Sequence, residues 1–289
     1  MINMNENDLP EGLNKIVGSE NGPVVVLFKQ THGNEIGGAK VLDLIMEDLV
    51  GISQGTLIYG IGNLEASKLN VRSINSDLNR AYGKKVPLGS EGNRVIELKP
   101  ILQNADYFFD IHSYINPGDP VICYPGNDFE GLKSLTKYIP IKNILYGDGL
   151  WPPNGDSVYG DTYVCSHKGK GMTIETGHLS DMTHVESTAS GLAKILENIL
   201  GATFTKNFQV MPSEKKYWHA YEHVPADEGF TFEKIWGNFE FLPKGTKYAT
   251  SLNKEYIVNC DSYILFAKSQ ENIVLGNEVC ILLEEEEEK

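Results

Sequence analysis

The side chains best suited to chemistry fall in a few short stretches. His32 and Glu35 stand three apart in Thr31-His32-Gly33-Asn34-Glu35, His112 follows Asp110-Ile111, and Glu175 follows Met172-Thr173-Ile174. Imidazole and carboxylate both bind divalent metals, and a catalytic zinc takes three such protein ligands while keeping a fourth position open. His32, Glu35 and His112 would supply a His₂Glu set, two ligands close in sequence and one distant. The same residues also fit a bland reading, with His112 a core histidine and Glu35 a charge at a helix N-terminus. A second spacing, His219-x-x-Glu222-His223, repeats the helical zinc pattern in which the glutamate serves as base. Pro225 would end such a helix two residues later, so packing of surface histidines is the simpler reading there. Finally, Arg72, Arg80 and Arg94 fall within 23 residues, in a chain whose other basic residues are 22 lysines. A guanidinium fork grips carboxylates in a way lysine does not, although a lysine-rich composition also produces such clusters by accident.

These residues need elements to position them. The run Val24-Val25-Val26-Leu27-Phe28 predicts a strand buried on both faces, ending just before His32. Ile36 to Val50 has helical spacing and Gly51 closes it. Strands are expected at 56–60, 107–111, 121–124 and 171–174, and a helix at 185–200. A helical pattern over 91–104 contains Pro100, which should kink or interrupt it. Alternating strands and helices over 20–201 predict an α/β fold with a largely parallel sheet, and ligand sites gather where such strands end. Beyond about residue 205 the stretches become short, aromatic and β-branched between turns, as in a small all-β domain. The expected division is 1–204, 205–283 and an acidic tail at 284–289, with the boundary between 201 and 212.

With 289 residues, 39 acidic against 25 basic side chains and a formal net charge of −14, the chain lacks the basic surface that nucleic acids require. It has no apolar run of the roughly 18 to 20 residues that a membrane span needs. Its polar, acidic first residues do not read as a signal peptide. Four scattered cysteines without a C-x-x-C pair read as reduced. A cytoplasmic protein is expected.

Between the candidate ligands, residues 72–80 contain Asp77-Leu78-Asn79-Arg80 with Arg72 eight positions before Arg80. Together with T-H-G-N-E at 31–35, D-I-H-S at 110–113 and I-E-T-G at 174–177, the chain resembles the succinylglutamate desuccinylase/aspartoacylase family. This is a branch of the zinc-carboxypeptidase superfamily, and the motifs match in order over residues 22–201. The resemblance implies a carboxypeptidase-like mixed, largely parallel sheet flanked by helices, followed by a C-terminal β domain. It implies one Zn²⁺ per chain held by His32, Glu35 and His112. Glu175 matches the general base and acid, Arg72 the arginine that stabilises the developing oxyanion, and Asn79 with Arg80 the pair that grips a substrate carboxylate. Arg94 matches no role and reads as structural. Asp110 and Asn34 are candidates for orienting the ligands.

Two departures bear on substrate. Aspartoacylases carry a further arginine roughly ten residues before the catalytic glutamate, where this chain has only His167, Lys168 and Lys170 as cationic substitutes. They also place a substrate-contacting tyrosine in the C-terminal domain, and Phe266 to Val274 has none. The expected activity is hydrolysis of an amide, with an ester as second choice, in a small anionic substrate such as an N-acyl amino acid. A metallocarboxypeptidase for short peptides and a non-catalytic zinc and anion-binding module are the alternatives. A homo-oligomer is compatible with the sequence but not specified by it.

Overall fold

A computed structural model describes residues 9–114, 118–126, 128–146, 158–211 and 213–286. In chain order the elements begin β1 (Leu13–Val17), β2 (Glu20–Lys29), α1 (Ile36–Asp48), β3 (Leu49–Gly51), β4 (Gln54–Ile61), α2 (Leu64–Leu69) and α3 (Ser90–Leu102). They continue with β5 (Tyr107–Tyr114), β6 (Val121–Tyr124), α4 (Phe129–Thr136), β7 (Asn143–Tyr146), α5 (Gly160–Ser166), β8 (Lys170–His178), α6 (Val185–Leu200) and β9 (Thr203–Phe204). The remainder is β10 (Lys216–Pro225), β11 (Thr231–Phe232), β12 (Glu240–Leu242), β13 (Lys247–Thr250), β14 (Glu255–Ile257), β15 (Ser262–Leu265) and β16 (Glu278–Glu286).

Continuous apolar runs form strands here because the sheet is covered on both faces. Along β2, Val25 and Leu27 pack with α1, α4 and α6. Val26 and Phe28 point the other way, into a core shared with α3 and α5. The main sheet has eleven strands in the order β1-β4-β2-β5-β8-β6-β7-β10-β16-β15-β12. The pairs β4–β2, β2–β5, β5–β8, β6–β7 and β7–β10 are parallel, and β6 against β8 is antiparallel. This is the expected mixed, largely parallel sheet flanked by helices, with further strands at the C-terminal end.

Helix α1 must lie close on β5, and Gly38 lets it. A β-carbon there would stand 2.4 Å from the Ile111 carbonyl oxygen, next to His112. Glycine to alanine gains up to about 1 kcal/mol in an open helix, but forcing backbone apart costs about 1–3 kcal/mol. The overlap wins: Gly38→Ala should lower the urea midpoint by the equivalent of about 1–2 kcal/mol, and an unchanged midpoint would refute that close packing.

Several expectations need correction. The helix over 91–104 is α3, which runs through Pro100 and closes at Leu102, so the proline falls in its last turn. The acidic tail begins later than expected, because Glu284, Glu285 and Glu286 are the last residues of β16, paired with His219, Trp218 and Tyr217. Lys216 meets Glu285 at 2.7 Å, compensating one of these charges, and the Tyr146 hydroxyl donates a hydrogen bond to Glu286. Residues 287–289 lie outside the described set. We keep a unit at 205–283 as a proposal: an apolar cluster drawn only from residues 224–282 supports it, while the β7–β10 ladder carries the main sheet across the boundary.

Candidate metal centre and active site

Three neighbouring strands deliver the candidate residues. His32 and Glu35 follow β2, and His112 and Glu175 stand on β5 and β8, directly opposite one another in parallel register. Both lie inside their strands rather than beyond them. Alternation along β5 puts Asp110 and His112 on the same face as Phe108, at the carboxyl edge of the α3/α5 side.

His32, Glu35 and His112 are buried, and one ligand atom from each lies within 4.8 Å of the other two. They are the one such group among the described residues. The His32 and His112 Nδ1 atoms face each other at 3.2 Å. Two nitrogens bound to one tetrahedral zinc at about 2.05 Å would stand about 3.3 Å apart, so the imidazoles fit a shared ion. Glu35 Oε1 is 2.7 Å from His32 Nδ1, and Oε2 is 2.9 Å from His112 Nδ1. Glu35 sits at the N-cap position of α1 without capping it, and Oε2 accepts the Ser113 N–H instead.

The opposite ring nitrogens are held by carboxylates. His32 Nε2 meets Asp77 Oδ1 at 3.0 Å, and His112 Nε2 meets Asp110 Oδ2 at 2.9 Å. Thr31 donates to the other Asp110 oxygen. Such partners keep the Nε2 proton in place and leave Nδ1 as the ligand. Asp110 stands at ion-pair distance from His112 Nε2 without hydrogen-bond alignment, while Asn34 offers its carbonyl to Ile36. Asp77 was not anticipated, because its partner lies 45 residues away.

The electrostatics favour a cation. Burial pulls the His32 and His112 pKa values down, but Glu35 with Asp77, and Asp110 with Glu35, more than reverse it, so both are raised. Burial pushes Glu35 and Asp77 up, and the imidazoles, joined for Asp77 by Arg80 and Arg72, hold both well below the ordinary range. Three carboxylates, Glu35, Asp77 and Asp110, thus crowd the two imidazoles, with Arg72 and Arg80 nearby, a donor set that suits a dication in place of the imidazole protons.

Half-buried Glu175 is left over. Its Oε2 is shielded from solvent and has no hydrogen-bond partner among the described residues. Burial, helped by Glu35 and opposed by His112 and His32, pushes its pKa up to about 7. Arg72 reaches in from the other side, with Nη1 3.3 Å from Glu35 Oε1 and Nη2 3.0 Å from Asp77 Oδ2. Asn79 is buried, and its Oδ1 accepts the Gly160 N–H at the start of α5. The Arg80 guanidinium lies 3.9 Å over the Tyr159 ring and forms no ion pair among the described residues.

Other candidates lie elsewhere. Lys170 opens β8, roughly 16 Å along the strand from Glu175, and lines a shallow cleft at the far sheet edge with Lys168 and Asp106. His167 stacks on Tyr163. None of the three faces the metal candidates. Lys268, which sequence reasoning passed over, is half-buried where the charges of Arg80, Arg72 and Asp77 act on it. Burial is the main cause of its lowered pKa. His219 and His223 are on strand β10, and His223 pairs with Glu278. Arg94 is buried and structural, donating to the carbonyls of Gly62 and Ile61.

Comparison with known proteins points the same way. Residues 21–117 match the model of the succinylglutamate desuccinylase/aspartoacylase catalytic domain. A protein named succinylglutamate desuccinylase from Photorhabdus laumondii is 22% identical, over 92% of this chain and 89% of its own. The solved structure of succinylglutamate desuccinylase from Vibrio cholerae superposes with TM-score 0.78 at 16% identity, covering 95% of this chain and 85% of that one. Its counterpart from Vibrio parahaemolyticus gives 0.77 at 14%, over 95% and 86%. No helix among the described residues is long and apolar enough to cross a membrane. Residues 21–117 thus match the catalytic-domain model of the succinylglutamate desuccinylase/aspartoacylase family, and the fold is the one seen in the solved succinylglutamate desuccinylases.

Proposed function

We propose that the protein is a zinc-dependent deacylase that hydrolyses the amide bond of a small N-acyl amino acid, with one zinc per chain held by His32, Glu35 and His112. The observation that supports this most is the register of β5 and β8, which sets Glu175, its Oε2 unpartnered among the described residues, beside a three-donor cluster. Zinc bound there supplies Lewis acidity, polarising an acyl carbonyl and acidifying water. Glu175 takes the proton of the attacking water and returns it to the leaving amine, and a carboxyl with a raised pKa suits both transfers. Arg72 stabilises the charge that develops on the carbonyl oxygen. Arg80, stacked on Tyr159 and without an ion pair among the described residues, grips the amino-acid carboxylate with Asn79, whose Oδ1 is occupied by the Gly160 N–H and whose amide group is left as a donor. Lys268, on which the charges of Arg80 and Arg72 act, would offer another cation for a second anionic group.

The relatives named desuccinylases direct the choice of substrates. A panel of N-succinyl and N-acetyl derivatives of acidic amino acids should be turned over, and the matching α-carboxamides poorly. Arg80→Ala should raise KM for the acids by about 30- to 150-fold, the loss of a charge-assisted pair of about 2–3 kcal/mol, with little change for the carboxamides. Preferential cleavage of dipeptides would favour a short-peptide carboxypeptidase. Zinc and anion binding without turnover of any panel member would leave only a binding module.

A further inference from the structure

The segment from Val71 to Arg80 holds four of the groups assigned above, Arg72, Asp77, Asn79 and Arg80, and its only regular structure is a single 3-10 turn at Leu78–Arg80. An irregular loop needs partners for its backbone donors, and here three successive ones share a partner. The N–H groups of Ile74, Asn75 and Ser76 donate to the carboxylate of Glu91 at 2.6, 2.9 and 3.2 Å, and Asn63 Nδ2 adds a fourth bond at 3.3 Å. Glu91 has no exposed surface and no cationic partner among the described residues. Burial alone would raise its pKa, yet the Ile74 and Asn75 N–H groups with Asn63 bring it below the ordinary value. Its charge is balanced by dipoles, including the start of its own helix α3.

The lock is reciprocal. Asn75 Oδ1 accepts the Ser90 N–H at 2.8 Å. Gly89, at φ +96°, leaves room for that contact, since a β-carbon there would stand 2.4 Å from the same oxygen. Helix α3 is tied in turn to the end of β4 by Arg94. A continuous chain of contacts therefore runs from β4 through Arg94, α3, Glu91 and the loop to Asp77 and His32.

We propose that Glu91 is the positioning residue of the substrate loop, its carboxylate fixing the Ile74–Ser76 backbone so that Arg72 and the Asn79/Arg80 pair keep their places around the metal candidates. This rests on the reading of those residues as substrate groups. A displacement of about 1 Å in such a group costs up to about 100-fold in rate.

The test uses the full-length, zinc-loaded protein. Glu91→Gln keeps the shape and one good acceptor, whereas Glu91→Ala removes every bond. In Glu91→Gln, KM for the best N-acyl amino acid should rise about tenfold and kcat/KM fall about 10- to 100-fold, with zinc content unchanged. Hydrogen exchange at Ile74, Asn75 and Ser76 should accelerate about tenfold or more, and Glu91→Ala should exceed both effects if it folds. A purely structural glutamate would lower the melting temperature while leaving KM and kcat, per zinc-loaded molecule, at wild-type values, and that result overturns the proposal. Should wild-type protein hydrolyse no panel member, the deacylase reading fails, and exchange decides Glu91 separately: wild-type rates at 74–76 in Glu91→Gln refute it.

Discussion

Glu175→Ala should bind one zinc per chain as the wild type does and lose about a thousandfold in kcat, within the 10²- to 10⁴-fold range of general acid–base catalysis and equal to about 4 kcal/mol of barrier. Zinc stays because Glu175 is not among the three clustered donors. Turnover goes because no other carboxylate there is free to shuttle a proton: Glu35, Asp77 and Asp110 are each engaged by an imidazole. The pH profile gives a second reading. A base works deprotonated, so kcat/KM should rise with pH through the Glu175 pKa. That pKa is about 7 with no metal bound, and a nearby dication favours the charged carboxylate, which places the acid limb below pH 7. The residual activity of Glu175→Ala should lack this limb. Full turnover in the variant would refute the role.

His32→Ala should abolish both metal binding and turnover. It removes one of three donors, so zinc affinity should fall by more than the roughly 10- to 100-fold cost of losing a supporting partner of a ligand. It also frees Asp77, which now pairs with His32 and Arg72, and so disturbs the substrate loop. A thermal measurement separates binding from catalysis. A ligand that binds only the folded state raises stability with its concentration, so added zinc should raise the melting temperature of wild type and leave that of His32→Ala unmoved. Wild-type zinc affinity in His32→Ala would refute the proposed centre, and loss of zinc on replacing His219 and His223 would move it to β10.

The elements that hold the centre were readable because each rests on local pattern. The run at 24–28 is apolar on both faces because helices cover both sides of β2. Helix α6 fills the expected 185–200 span. The metal candidates were readable because imidazole and carboxylate stood at the carboxyl ends of expected strands. What escaped was tertiary. The bonds of Asp77 to His32 and of Glu91 to Ile74 join residues distant in sequence with no periodic signal. Likewise, Tyr159 under Arg80 and Lys268 near it belong to segments that look unremarkable alone. Whether Lys168 and Lys170 reach the site was open from sequence, because closeness in sequence to Glu175 hides the length of an extended strand, which carries them to the far edge. The glutamates at 284–286 misled because a charge run reads as solvated unless the strand that receives it, β10, is known.

That receiving strand has a consequence for biosynthesis. β7 is flanked by β6 on one side and β10 on the other, and β10 by β16. Until residues 216–225 have been made, the row of β7 amide and carbonyl groups that meets β10 is an uncapped edge, and until 278–286 have been made the far side of β10 is another, each open to pairing with another chain. A nascent protein stalled near residue 205 would hold all three metal candidates and Glu175 and still be prone to stick to its neighbours. The C-terminal strands thus act as a built-in edge guard for the catalytic layer, a task separate from any they perform toward substrate.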